Sequence, residues 1–157
     1  ELLTDGTRAT PAAGWTEVLD SFGRCLNWKV ATGSEPSTYT FTYSTSTRFS
    51  AFAVCIRNAA FDVVGTVGAN ASPNVAPQIT VSQSNSILFS HNSNGATASV
   101  TWTAPTGFTQ VIADSNATQP SSVLFSKENV AAGATGTVSA TPSTGNGRAF
   151  LFAVKPS

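Results

Sequence analysis

The chain has 157 residues, the length of one compact domain. Charged residues make up 10% of it, and eight basic residues balance eight acidic ones; an ordinary soluble protein is roughly 25% charged. Such a chain has no general attraction to nucleic acid or to an anionic membrane, and no apolar run approaches the roughly 20 residues that a membrane-crossing helix needs.

Helical periodicity is nearly absent, and two-residue alternation between Gly, Pro, Asn and Ser signals runs throughout. The chain opens at Glu1 and contains no Met, so residue 1 is not expected to be the translated start. Leu2-Leu3 reads as a strand remnant. A Pro11-Ala-Ala-Gly14 turn then leads into the alternating stretch Trp15 to Ser21. In Arg24 to Val30, Leu26, Trp28 and Val30 share a face. In Tyr39-Thr-Phe41-Thr-Tyr43 the aromatics share one, and Phe52, Val54 and Ile56 alternate with small residues. Gly65 to Pro77 reads as a long surface loop between two halves, about 1–64 and 78–157. Strands are then expected at Ile79 to Val81, Ser86 to Ser90, Ala98 to Trp102, Phe108 to Ala113, Val123 to Ser126, Gly136 to Ala140 and Ala149 to Val154. Strands spaced about 8–12 residues apart indicate a sandwich or barrel.

The second half echoes the first. Pro11 to Ser21 returns as Pro105-Thr-Gly107-Phe108-Thr-Gln-Val-Ile-Ala-Asp114-Ser115, and Arg48-Phe-Ser-Ala51-Phe52-Ala-Val54 returns as Arg148-Ala-Phe-Leu151-Phe152-Ala-Val154. The expected fold is an all-β antiparallel sandwich, jelly-roll-like, built from two sequence-related halves in a single domain. The first half lacks the counterpart of Ile79 to Val81 and carries Leu2-Leu3 where the second has Ile87-Leu-Phe. Either an upstream segment or a neighbouring chain is then expected to supply a missing strand, since an open sheet edge invites strand addition.

Candidate chemistry is sparse. His91, the one histidine, precedes Asn92-Ser-Asn-Gly95 and reads as an exposed loop residue ahead of any catalytic role. Asp20 and Asp114, each followed by Ser, take equivalent places in the repeat and suit structural Asx turns. The other carboxylates, Glu1, Asp5, Glu17, Glu35, Asp62 and Glu128, are scattered, and no metal-ligand or calcium-loop spacing occurs. Cys25 and Cys55 form either a disulfide or two buried thiols. Trp15 and Phe108 are repeat equivalents, which favours a core anchor over a sugar-stacking platform. Trp28 reads as core and Trp102 as half-exposed. Lys29, Arg57 and Lys127 are expected in solvent, and Arg48 and Arg148 on loop carbonyls. Asn70 and Asn116 match the glycan acceptor pattern, as an Asn-, Ser- and Thr-rich chain does by chance.

The order Pro-x-x-Gly-Trp-Thr-x-Val, Leu26-Asn-Trp28-Lys29-Val30-Ala31, Glu35-Pro36-Ser-Thr-Tyr39-Thr-Phe41, Ala132-Gly133-Ala-Thr-Gly136 and Ala153-Val154-Lys-Pro156 resembles a β-sandwich module. That module is found in tailed-phage virion proteins (decoration proteins, head or tail fibres) and in bacterial exoproteins. The resemblance implies a non-enzymatic component of a virion exterior, without catalytic residues or cofactors. Implied partners are other capsid or tail proteins, further copies in a homo-oligomer, and a host-surface glycan. Residues Gly65 to Pro77 and His91 to Ala96 are the expected contact loops. The alternative is an extracellular carbohydrate-binding or adhesin module.

Overall fold

The computed structural model describes residues 2–4, 9–43, 49–96, 98–115 and 120–157. These are antiparallel β throughout, with no helix. The chain divides into two units, Glu1–Cys55 and Ile56–Ser157. The division falls at Cys55/Ile56 and not in the Gly65 to Pro77 segment, so residues 56–64 belong with the second unit.

The first unit contains β1 (Leu2–Thr4), β2 (Ala9–Thr10), β3 (Thr16–Ser21), β4 (Arg24–Trp28), β5 (Thr42–Tyr43) and β6 (Phe49–Ala51). Its sheet has the order β3-β4-β1-β6, and β2 pairs with β5. The β3–β4 hairpin closes through Phe22 and Gly23, at φ 50° and 71°. Two successive positive φ angles are what a two-residue primed turn requires to match the strand twist.

The second unit contains β7 (Ala59–Val64), β8 (Asn74–Ala76), β9 (Thr80–Val81), β10 (Ser86–Asn94), β11 (Trp102–Thr103), β12 (Thr109–Asp114), β13 (Ser121–Val130), β14 (Gly133–Ala134), β15 (Val138–Pro142) and β16 (Gly147–Pro156). Its five-stranded sheet runs β12-β13-β10-β16-β7. A second layer holds β11-β15-β8 and the β14–β9 pair. The two layers meet where Leu88, Ala149, Leu151 and Ala153 of the large sheet pack with Ala76, Ile79, Val81 and Val138. Burying each larger side chain stabilises the fold by roughly 1.5–3 kcal/mol. Strand alternation turns Phe150 and Phe152 to the other face, where Phe89 stacks on Phe152 at 4.8 Å. That face is also buried. Strands interred on both faces read as continuous apolar runs, which is why Phe150 to Val154 shows little polar alternation.

The order β3-β4-β1-β6 has the same chain relationships as β12-β13-β10-β16. The registers agree as well. Thr16 pairs with Trp28 and Thr109 with Ser126, and each ladder shifts at the same place, between Glu17 and Leu19 and between Gln110 and Ile112. The leading turns match: Trp15 N–H donates to Ala12 O at 3.1 Å, and Phe108 N–H to Pro105 O at 3.0 Å. Gly14 and Gly107 sit at φ 83° and 79°, a conformation that favours glycine.

The registers also correct the sequence alignment in three places. Leu2 pairs with Cys25 and Ala51, as Asn92 pairs with Val123 and Ala149. Leu2 therefore corresponds to Asn92, near the end of β10, and not to Ile87. Ala51 corresponds to Ala149 and not to Leu151. Asp114 pairs with Ser122 as Ser21 pairs with Arg24, so Asp20 and Asp114 lie one residue apart in register, which in a strand places them on opposite faces.

Candidate contact surfaces

Among the described residues, no group of three or more His, Cys, Asp or Glu is placed to hold a metal ion. Cys25 and Cys55 are both thiols; Cys25 is buried and Cys55 exposed. Neither a disulfide nor a pair of buried thiols is formed. The Cys25 thiol donates to Asp20 Oδ1 at 3.7 Å, so Asp20 acts across the hairpin from within β3.

His91 is fully buried in the middle of the large sheet, its ring 5.0 Å from that of Phe150. The expected exposed loop at His91 to Ala96 is therefore mostly strand, because β10 runs on to Asn94. The polar residues that mimic a turn in sequence are held inside by hydrogen bonds. Asn92 Nδ2 donates to Ser90 Oγ at 3.0 Å, and Asn94 Nδ2 to Thr144 O at 2.6 Å, while Asn94 Oδ1 accepts from Ala96 N–H at 2.7 Å.

The other expected contact loop is strapped down too. Gly65, Gly68 and Ala71 N–H donate to Leu151, Ala149 and Gly147 carbonyls at 2.8–2.9 Å. Arg148 Nη1 donates to Gly68 O at 2.9 Å, the loop-carbonyl role expected of it; Arg48 lies outside the described residues. Asn74, fully buried, donates to Ser93 O at 3.2 Å. Asn70 remains exposed, and Asn116 lies outside the described residues.

Trp15 meets Tyr39 edge-on at 5.3 Å and Phe41 at 5.5 Å. By the paired ladders β2–β5 and β11–β15, Tyr39 and Phe41 stand where the second unit has Val138 and Ala140. There Phe108 packs against the buried Val123, Phe125 and Ala140 together with Trp102, which is half-buried. The Trp15 cluster is thus the first unit's version of that core. Lys29 is not simply solvated. Its Nζ bonds Glu35 Oε2 at 2.6 Å and Tyr39 Oη at 2.9 Å, and lies 5.0 Å from the Tyr39 ring centroid. The Lys29 hydrogen bond, with those from Thr32, holds the Glu35 carboxyl at about 2. Arg57 and Lys127 are exposed as expected. In the second unit, burial pushes the Asp62 carboxyl up, but the Ser82 N–H at 2.8 Å, the Ser82 hydroxyl and Lys155 at 3.5 Å outweigh it and hold it below the usual range.

Among the described residues, the large apolar side chains that face solvent are Phe22 at 62% exposure, Val30 at 68%, Val54, Val75, and Val111 and Ile112 on the edge strand β12. Phe22 is the outlier. A bulky side chain at positive φ is rare, and Asn or Gly would take that turn position with less strain. Sequence reading missed it; Phe22-Gly23 between two alternating runs was the available signal. A comparison with family models, curated proteins and solved structures returned no match.

Proposed function

We propose that this chain is a non-enzymatic structural and adhesive protein on the exterior of a phage particle, docking on capsid or tail proteins. The observation that carries this reading is Phe22, an aromatic ring presented to water from a strained hairpin tip. Strain kept at an exposed position is a reason to look for function there, and aromatic residues are favoured anchors in protein contacts. The sparse charge and the Ser-, Thr- and Asn-rich composition support it, as does the resemblance of the turn and strand motifs to phage virion modules. The Trp15 cluster gives the glycan-binding alternative no support, because its rings are engaged with one another.

The test joins particle labelling to a hairpin variant. Antibody against the chain should decorate purified particles in electron microscopy. Added free protein should bind particles stripped of it, and Phe22→Asn should weaken that binding about tenfold or more, the scale of a contact anchor, while leaving the fold intact. Unlabelled particles, or full binding by Phe22→Asn, would overturn the reading.

A further inference from the structure

The second unit carries polar side chains into the space between its two layers. Strand alternation turns Asn92 and Asn94 of β10 to the face that carries Leu88, and Asn92 lies between Val123 and Ala149, both core residues. Ser121 pairs with Asn94, and residues directly opposite in an antiparallel pair share a face. From the other layer, Asn74 shares the inward side of β8 with Ala76. Its Nδ2 donates at 3.2 Å to the carbonyl of Ser93, the residue between Asn92 and Asn94. Asn74, Asn92 and Ser121 therefore meet at the Asn94 end of the interlayer space.

All three are fully buried. Asn74 Oδ1, Asn92 Oδ1 and Ser121 Oγ nevertheless have no hydrogen-bond partner among the described residues. Turning the amides over does not help. The Asn74 nitrogen faces the Ser93 carbonyl and, at 3.4 Å, the Arg148 carbonyl. The Asn92 nitrogen faces Ser90 Oγ at 3.0 Å and Ser90 O at 3.4 Å. A flip would set amide oxygen against carbonyl oxygen. Asn94 is already engaged at both ends, by Thr144 O and by Ala96 N–H. Two acceptors and one hydroxyl are left, in a place where an unmade hydrogen bond carries its full desolvation penalty.

We infer that this end of the sandwich is a binding site for one internal water, which donates to Asn74 Oδ1 and Asn92 Oδ1 and accepts from the Ser121 hydroxyl. A buried water typically makes about three hydrogen bonds to groups otherwise unsatisfied, and two acceptors with one hydroxyl complement its two hydrogens and a lone pair. The set contains no carboxylate, which calcium and magnesium sites rely on. The water ties β8 to β10 and β13 where β16 also comes close: a Cβ on Gly147 would stand 2.6 Å from Asn74 Nδ2. The site lies wholly within the second unit and does not depend on where the protein acts.

Ser121→Ala separates an occupied site from an empty one. Removing a truly orphaned hydroxyl relieves a cost and raises the urea midpoint; removing one bonded to water lowers it. A lower midpoint with an unchanged slope is expected, and an unchanged or higher midpoint would overturn the inference. Asn92→Leu should lower the midpoint too. The double variant should then fall by less than the two falls added, since both act on one water; additive falls would contradict a shared occupant. A crystal structure of the unaltered protein should place an ordered water within hydrogen-bond distance of all three atoms, and three atoms that meet no water would overturn the site directly. Exchanging sodium chloride for choline chloride should leave the midpoint where it is; a fall would put a sodium ion there in place of water.

Discussion

Gly147 is the residue whose replacement the packing tolerates least. A Cβ there would stand 2.0 Å from Ser93 O and 2.6 Å from Asn74 Nδ2. Gly68 is as tight, 2.0 Å from Val75 O. Both obstacles include backbone, which cannot swing aside as a side-chain tip can. Gly147→Ala should therefore destabilise the protein by about 1–3 kcal/mol, the usual cost of overpacking, read as a lower urea midpoint with an unchanged slope; no change in midpoint would contradict the close approach. Phe22→Asn should act in the opposite direction and raise stability by about 1 kcal/mol, since a left-handed conformation costs a bulky residue about that much. A fall in thermal midpoint for Phe22→Asn would show that the ring stabilises the turn more than the backbone strains it. Residue identity made neither site plain in the sequence: glycine is common in loops, and the reason for Gly147 lies in β10, far away along the chain.

Elements were legible where one face alternates. The stretches Trp15 to Ser21, Arg24 to Val30 and Phe108 to Ala113 read as strands and lie within two residues of the observed Thr16–Ser21, Arg24–Trp28 and Thr109–Asp114. β7 was missed, because Ala59 to Val64 shows no clean two-residue pattern and its place is fixed by β16. β10 extends past Ser90; Ser, His and Asn look like loop residues until their ladder pairing and the buried Asn92 and Asn94 hydrogen bonds are counted. The Lys29 to Phe41 segment shows a further limit. Its alternating aromatics were readable, but the Lys29–Glu35 contact depends on how the chain folds back. That contact carries a pH signature. Glu35 titrates at about 2 in the folded protein against an ordinary 4.5. A depressed carboxylate contributes stability that is fully present above pH 4.5 and is lost as pH falls through 2. Urea midpoints should fall across that window, and Glu35→Gln should flatten the fall; an identical acid profile for Glu35→Gln would remove Glu35 from the account.

At the scale of the whole chain, composition and strand spacing were enough for an all-β antiparallel fold. The correspondence between β3-β4-β1-β6 and β12-β13-β10-β16 needed the registers, because the sequence echo alone aligns Ala51 with the wrong partner. No catalytic constellation was expected from the sequence, and the candidate surfaces rest on exposure and backbone strain, which one-dimensional patterns carry poorly. The central claim is that the two units share one strand order, with Leu151 to Ala153 paired in the second and Ala53 to Cys55 in no ladder among the described residues of the first. Hydrogen exchange on the full chain, resolved by residue, tests it most directly. Amides of Leu151 to Ala153 should be protected by orders of magnitude, while those of Ala53 to Cys55 should exchange within about tenfold of an unstructured peptide, as exposed backbone does. Equal, strong protection at both places would contradict the claim.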